Sequence, residues 1–134
     1  MTIFIDTGAF IARFITGDQF HQKSLATWEK IRKNQESCVT SNHVLDETFT
    51  LLARRVSYEF SAEKARLIYQ SGLFQIARTT EEDELAALVL FEKYTDQAIS
   101  FTDCLSFVLM KRINIQKVFS FDRHFSQAGF GLLN

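Results

Sequence analysis

The sequence predicts an α/β protein in which a mainly parallel sheet is covered on both faces by helices. Two patterns predict it: short apolar runs with β-branched character recur along the chain, and between them lie longer segments whose apolar residues repeat at helical spacing. Strands that alternate with helices pair in parallel, because the crossover helix returns the chain to the edge it left. Size supplies the third observation. With 134 residues the chain accommodates one core, and two would each be too small to bury enough apolar surface, so a single domain over residues 1–134 is expected.

The elements follow in order. Thr2-Ile3-Phe4-Ile5 is a strand closed by Asp6, and residues 8–15 place Phe10, Ile11, Phe14 and Ile15 at helical spacing. Gly17-Asp18 marks a turn with Asp18 as its turn or cap residue, and residues 20–34 carry Leu25, Trp28 and Ile31 on one helical stripe. Residues 37–40 read as a strand. Ser41 or Asn42 then caps a helix running to about Arg55, with Val44, Thr48, Leu51 and Leu52 on its inner face.

Ser61 opens the next helix, which runs through Tyr69 until Gly72 stops it, and residues 73–77 form a strand. Thr79 or Thr80 caps a further helix. Glu81, Glu82 and Asp83 occupy its first turn, where the helix dipole favours negative charge. A helix over residues 102–112, a strand over 117–121 ending at Asp122, and a short final strand at 131–133 complete the pattern.

Fifteen basic residues against sixteen acidic ones give a formal charge of −1, which argues against nucleic-acid binding by bulk electrostatics and leaves only local attraction. The basic groups Lys30-Arg32-Lys33, Arg54-Arg55 and Lys111-Arg112 each fall near a helix end and are explained by the dipole. The apolar start is broken at once by Asp6 and has no basic flank. That pattern is neither a signal peptide nor a membrane span, so a cytoplasmic protein without membrane contact is expected. Cys38 and Cys104 lack metal-type spacing and read as buried reduced thiols. His21, His43 and His124 lack a zinc spacing and read as surface residues or as supports behind a site.

The acidic residues carry the chemistry. In a parallel sheet, ligands bind beyond the carboxyl ends of the strands. Asp6 and Asp122 each follow a strand directly, although turn and cap roles are common for aspartate. Glu47 lies three residues after Val44 and four before Leu51, on or beside the inward helix face, where a glutamate needs a partner; its neighbour Asp46 falls on the polar side. Asp103 completes a capping box with Ser100 and also projects from the helix end. Four converging carboxylates repel one another, and a hard divalent cation, Mg²⁺ or Mn²⁺, relieves that repulsion while accepting phosphate oxygens.

Four segments together resemble the PIN-domain family: Ile3-Phe4-Ile5-Asp6-Thr7, Asn42-His43-Val44-Leu45-Asp46-Glu47, Ser100-Phe101-Thr102-Asp103, and Phe119-Ser120-Phe121-Asp122-Arg123-His124-Phe125. Their order and spacing match over essentially the whole chain, most closely the VapC-type ribonuclease toxins of toxin-antitoxin pairs. The resemblance implies a Rossmann-like three-layer α/β/α sandwich, Mg²⁺- or Mn²⁺-dependent hydrolysis of an RNA substrate, a homodimer, and a cognate antitoxin protein. It implies that Asp6, Glu47 and Asp103 hold metal, with Asp122 as a fourth ligand or an acid beside it. Thr7 and Ser120 correspond to hydroxyls that hydrogen-bond around the cluster. Gly8 stands where many relatives carry Ser, and Ser120 where Thr is frequent.

Two rival readings remain. A PIN-like domain that binds RNA or protein without cutting shares the fold, but the intact acidic set argues against it. A nucleotide-binding Rossmann-like protein would need a G-x-G-x-x-G or P-loop motif, and the chain has neither.

Overall fold

The computed structural model describes residues 1–134. Its elements run β1 (Thr2–Ile5), α1 (Thr7–Phe14), α2 (His21–Lys33), β2 (Ser37–Ser41), α3 (Asn42–Arg55), α4 (Tyr58–Ser71), β3 (Phe74–Ala77), α5 (Glu81–Lys93), α6 (Phe101–Arg112), β4 (Lys117–Phe119), α7 (His124–Gln127) and β5 (Gly131–Leu133). All five strands are parallel, in the order β3-β2-β1-β4-β5, and helices flank the sheet to give the expected three-layer sandwich. The sheet is thus wholly rather than mainly parallel. Its order reverses direction between β1 and β4, which is where a doubly wound sheet opens a crevice.

The core is aromatic at its centre. Phe4, Phe10, Phe107, Phe119 and Phe125 are fully buried, and each contributes about 1.5–3 kcal/mol by leaving water. Trp28 packs on Phe10, Phe74 and Phe119, joining α2 to the sheet. Cys38 and Cys104 are buried free thiols as expected, and burial, then the charge of Glu36, pushes the Cys38 thiol up to about 11.

Three expectations need correction. Helix α4 begins at Tyr58, not Ser61, because Ser57 takes the cap and its Oγ accepts from Phe60 N at 3.0 Å. Ser61 instead donates to Phe49 O at 2.7 Å and ties α4 to α3. Strand β4 ends at Phe119 rather than Phe121, since the Asp122 amide turns to Ser120 Oγ at 3.0 Å instead of to a neighbouring strand.

The third is incomplete rather than wrong: Asp83 and Arg112 do stand in the first turn of α5 and the last turn of α6, as the dipole reading requires, but they also pair with each other. Thr80 caps α5, and Asp83 closes its capping box while lying buried beneath Arg112, whose Nε and guanidinium nitrogen reach Asp83 oxygens at 2.9 Å. A long side chain at the end of α6 crosses to the start of α5. Gly72 ends α4 with φ of 69°, a left-handed conformation that glycine adopts without steric cost.

Candidate active site

Parallel pairing of β1 with β4 sets Ile5 beside Phe119. The next residue of each strand is therefore Asp6 and Ser120, side by side at the carboxyl edge where the sheet switches direction. Asp6 N donates to Phe119 O at 3.1 Å, and Ser120 Oγ donates to Asp6 Oδ2 at 2.7 Å. Asp6 stands at the N-cap position of α1, yet its side chain makes no cap hydrogen bond. The carboxylate is turned across the sheet edge instead, which removes the cap explanation for it.

Around this pair opens a cleft of about 620 Å³ lined by all four predicted acids, Asp6, Glu47, Asp103 and Asp122, together with Thr7 and Ser120. Ser41, the last residue of β2, caps α3 through its Oγ and so aims that helix, with Glu47 a turn and a half in, at the cleft. Glu47 has no cationic partner within 4 Å, unlike the acids of the five ion pairs made by Lys, Arg and the N-terminus. Asp46 is exposed, as its side of the helix predicts. The capping box at α6 is present in full, Ser100 Oγ accepting from Asp103 N and Asp103 Oδ2 from Ser100 N. The box uses Asp103 Oδ2, and the side chain still lines the cleft.

The electrostatics follow from burial and crowding. Asp6 is pushed up to about 7, first by burial; Ser120 and the Thr7 N–H oppose this, while the charges of Asp103 and Glu47 add to it. Asp103 is pushed up to about 6, again by burial first and then by the charge of Asp122, against its hydrogen bonds with Ser100. Each acid is thus held in the neighbourhood of like charge, an arrangement that calls for a cation.

His124, read from the sequence as a surface residue or a support behind a site, lies in the cleft itself. One donor atom each from Asp103, Asp122 and His124 lies within 4.8 Å of the others. Asp122 Oδ1 accepts from His124 N at 2.9 Å in a tight turn, which confirms the turn role without removing the acid from the cleft. His124 Nδ1 lies 2.9 Å from the same oxygen but out of hydrogen-bonding alignment, so this buried nitrogen has no partner. The Thr7 hydroxyl is likewise buried without a hydrogen bond, whereas Ser120 bonds as expected. Two orphaned polar atoms beside a carboxylate cluster fit a hard divalent cation and its waters.

The sequence reading also passed over the rim. Arg55 ends α3 as the dipole argument requires, but it lines the cleft and lies 3.7 Å from Asp18. Arg123, Phe20 and Phe121 line it too. The only signal available for Arg123 was its place between Asp122 and His124, and none pointed to Phe20. His21 and His43 have other work: they bond Ala12 O and Thr79 Oγ1, each at 2.7 Å.

Comparison with known proteins gives a consistent result. A sequence profile described as PIN domain matches residues 3–131. The chain is 34% identical over 128 residues to the 23S rRNA-specific endonuclease VapC20 of Mycobacterium tuberculosis, covering 96% of this chain and 95% of that protein. It is 31% identical over 134 residues to a VapC ribonuclease of Archaeoglobus fulgidus, covering 98% and 83%. The crystal structure of the Mycobacterium tuberculosis VapC20, described as a sarcin-ricin loop cleaving toxin, superposes with a TM-score of 0.84 at 32% identity over 96% and 95% of the chains. VapBC2 from Rickettsia felis shares the fold, with a TM-score of 0.73 at 14% identity over 100% and 98%.

Proposed function

The chain belongs to the PIN-domain family, and from that premise we propose that residues 1–134 form a single metal-dependent ribonuclease unit whose site is Asp6, Glu47, Asp103 and Asp122. The observation that carries the reading is the convergence of these four acids, from β1, α3, α6 and the turn after β4, on one cleft at the switch point of the sheet. A purely structural set of four acids would be dispersed or paired, and Glu47 is neither.

Asp6, Glu47, Asp103 and Asp122 would hold Mg²⁺ or Mn²⁺, with His124 adjacent. The chemistry such a cation would supply there is neutralisation of the carboxylate charge, a lowered pKa for water and stabilisation of the charge that builds on phosphate oxygens. The chain's own residues do the rest. Ser120 fixes the orientation of Asp6 through its 2.7 Å hydrogen bond. Arg55 and Arg123 at the rim draw RNA phosphates to a protein whose net charge is only −1. Hydrolysis leaves a 5′-phosphate and a 3′-hydroxyl, and no protein nucleophile is needed.

The identity to VapC20 supports a structured ribosomal RNA loop as the first substrate to test, and supports the toxin role with a cognate antitoxin as partner. A homodimer is part of the same reading. Leu85, Leu88 and Val89 share one exposed face of α5, an apolar surface suited to a second copy. No helix is long and apolar enough to cross a membrane, and action in the cytoplasm, where the RNA is, completes the proposal.

The experiment is cleavage of a mixed RNA pool and of a sarcin-ricin loop hairpin by purified protein, with Mg²⁺, with Mn²⁺ and with chelator, followed by sequencing of the ends. Cleavage dependent on metal and reduced on the order of 100-fold or more in Asp6→Asn supports the reading. Undiminished cleavage by Asp6→Asn removes the site assignment, and RNA left intact under every condition favours a non-cleaving scaffold.

A further inference from the structure

We propose that Phe20 and Phe121 form a stacking platform for an unpaired nucleobase of the RNA beside the scissile phosphate; this deepens the ribonuclease reading and rests on it. The two rings lie parallel, 4.5 Å between centroids at an interplanar angle of 3°, and both line the carboxylate cleft. Each is only partly buried. The pair comes from segments 101 positions apart, the turn before α2 and the turn after β4.

Several features hold the pair in place. Phe121 sits in sequence between Ser120 and Asp122, two residues of the acidic site, so its position is tied to the reacting centre. Its ring meets the fully buried Phe119 edge-on at 5.9 Å, which anchors it to the core. Phe20 is the outer ring. Its backbone is fixed by Asp18, whose Oδ1 accepts from Phe20 N at 2.9 Å, and Asp18 in turn faces Arg55 at 3.7 Å. Lys23 holds its ammonium over the Phe20 ring, 5.9 Å from the centroid, so an incoming base takes that face by displacing this long, flexible side chain.

This assembly has the ingredients of single-strand recognition. Aromatic faces accept any base because every base has a π-face, and neighbouring cations take the phosphates. Here a pre-stacked ring, with Lys23 and Arg55 nearby, adjoins the acids proposed to act on the phosphodiester. A base in a continuous duplex has both faces covered by its neighbours, so the platform selects loops, bulges and single strands. It would tolerate all four bases while requiring that one be present.

A bland alternative is that the rings only close the core over Phe119, and the test separates the two. Cleavage sites are first mapped with wild-type protein, and the same RNA is then made with an abasic ribose at each nucleotide flanking the cut. Phe20→Leu keeps an apolar side chain without a π-face, and Phe20→Trp keeps the π-face. Loss of one stacked base corresponds to a factor of about 5 to 150. We therefore expect Phe20→Leu to raise KM by that factor with kcat within about twofold, Phe20→Trp to restore KM, and the abasic RNA to abolish the difference between wild type and Phe20→Leu.

A metal-independent arm uses Asp6→Asn with a short single-stranded RNA carrying 2-aminopurine, whose fluorescence is quenched on stacking. Quenching that disappears in Asp6→Asn/Phe20→Leu supports the platform even if wild-type protein leaves all RNA uncut, which would overturn the ribonuclease reading alone. Cleavage with an unchanged KM in Phe20→Leu, or a penalty undiminished on abasic RNA, overturns the platform and leaves the ribonuclease reading standing.

Discussion

Ser120 Oγ donates to Asp6 Oδ2 at 2.7 Å, joining residues 114 positions apart at the edge shared by β1 and β4. The same oxygen accepts from Asp122 N at 3.0 Å, so one fully buried hydroxyl orients two of the four acids.

Replacing Ser120 by Ala should therefore act on the site and on the fold together. The Asp6 carboxyl, already raised to about 7, loses a contact that lowers it and rises further. Metal must then displace a more tightly held proton, so the pH midpoint of activity moves up and metal affinity at neutral pH falls. The Asp122 amide is left without its partner, a loss of about 1–3 kcal/mol. A pH-rate profile and a urea titration measure the two effects. An unchanged midpoint would show that the bond does not tune Asp6.

Metal should reverse the pH dependence of stability. Asp6 and Asp103 keep their protons to about 7 and about 6 in the folded chain, against 3.8 for both when unperturbed. The native state then binds more protons than the unfolded state across that window, so the metal-free protein loses stability as pH rises through it. We expect a Tm several degrees higher near pH 5 than near pH 7.5 without metal, since each 1 kcal/mol moves Tm by roughly 3–5 °C in a domain of this size. Mn²⁺ should raise Tm more at the higher pH. In Asp6→Asn/Asp103→Asn the metal-free slope should largely vanish.

The pair Asp83–Arg112 should be asymmetric. Burial pushes the Asp83 carboxyl up, but hydrogen bonds from Arg112 and Thr80 outweigh it and hold the group below its usual range. Asp83 is buried, whereas the Arg112 side chain is 44% exposed. Arg112→Met strands a buried carboxylate and should cost about 3 kcal/mol at neutral pH, whereas Asp83→Ala frees an arginine that reaches water and should cost about 1–2 kcal/mol. The depressed carboxyl contributes stability above its unfolded pKa, so the Arg112→Met deficit should shrink as pH falls through the acid range. Denaturant unfolding at two pH values decides it, and equal losses for the two variants would contradict the assignment.

Breaking the apolar face of α5 should yield a monomer. Leu85, Leu88 and Val89 are 57%, 44% and 66% exposed, so their outward faces are not needed by the core. Val89→Glu should shift sedimentation to the monomer mass while Tm falls by no more than the loss of a dimer contact requires. A wild-type chain already monomeric at tens of micromolar would leave this face to another partner.

Much of the fold was legible because it depends on local pattern. Alternating short apolar runs and helical stripes predicted every strand, and Gly72, Ser100 and the first turn of α5 marked helix ends through chemistry confined to a few residues. The start of α4 was not legible, because Ser57 and Ser61 carry the same hydroxyl and only the fold shows Ser57 Oγ accepting from Phe60 N while Ser61 Oγ donates to Phe49 O. The acids of the site were legible for a related reason. Asp6 follows a strand, and Glu47 interrupts an apolar helix face, so their positions were anomalous before any contact was known.

By itself, then, the sequence determined the five strands and every helix but the short α7, which acids stand at strand ends or on an inward face, and the PIN-domain family. Tertiary structure alone decided that Asp6 meets Ser120 rather than capping α1, that His124 and Arg55 border the cleft, that Arg112 reaches Asp83, and that Phe20 stacks on Phe121. The division has one physical cause. Secondary-structure signals act over a turn of helix or a pleat of strand, whereas these pairings depend on strand order and register, which are set by how the whole core packs.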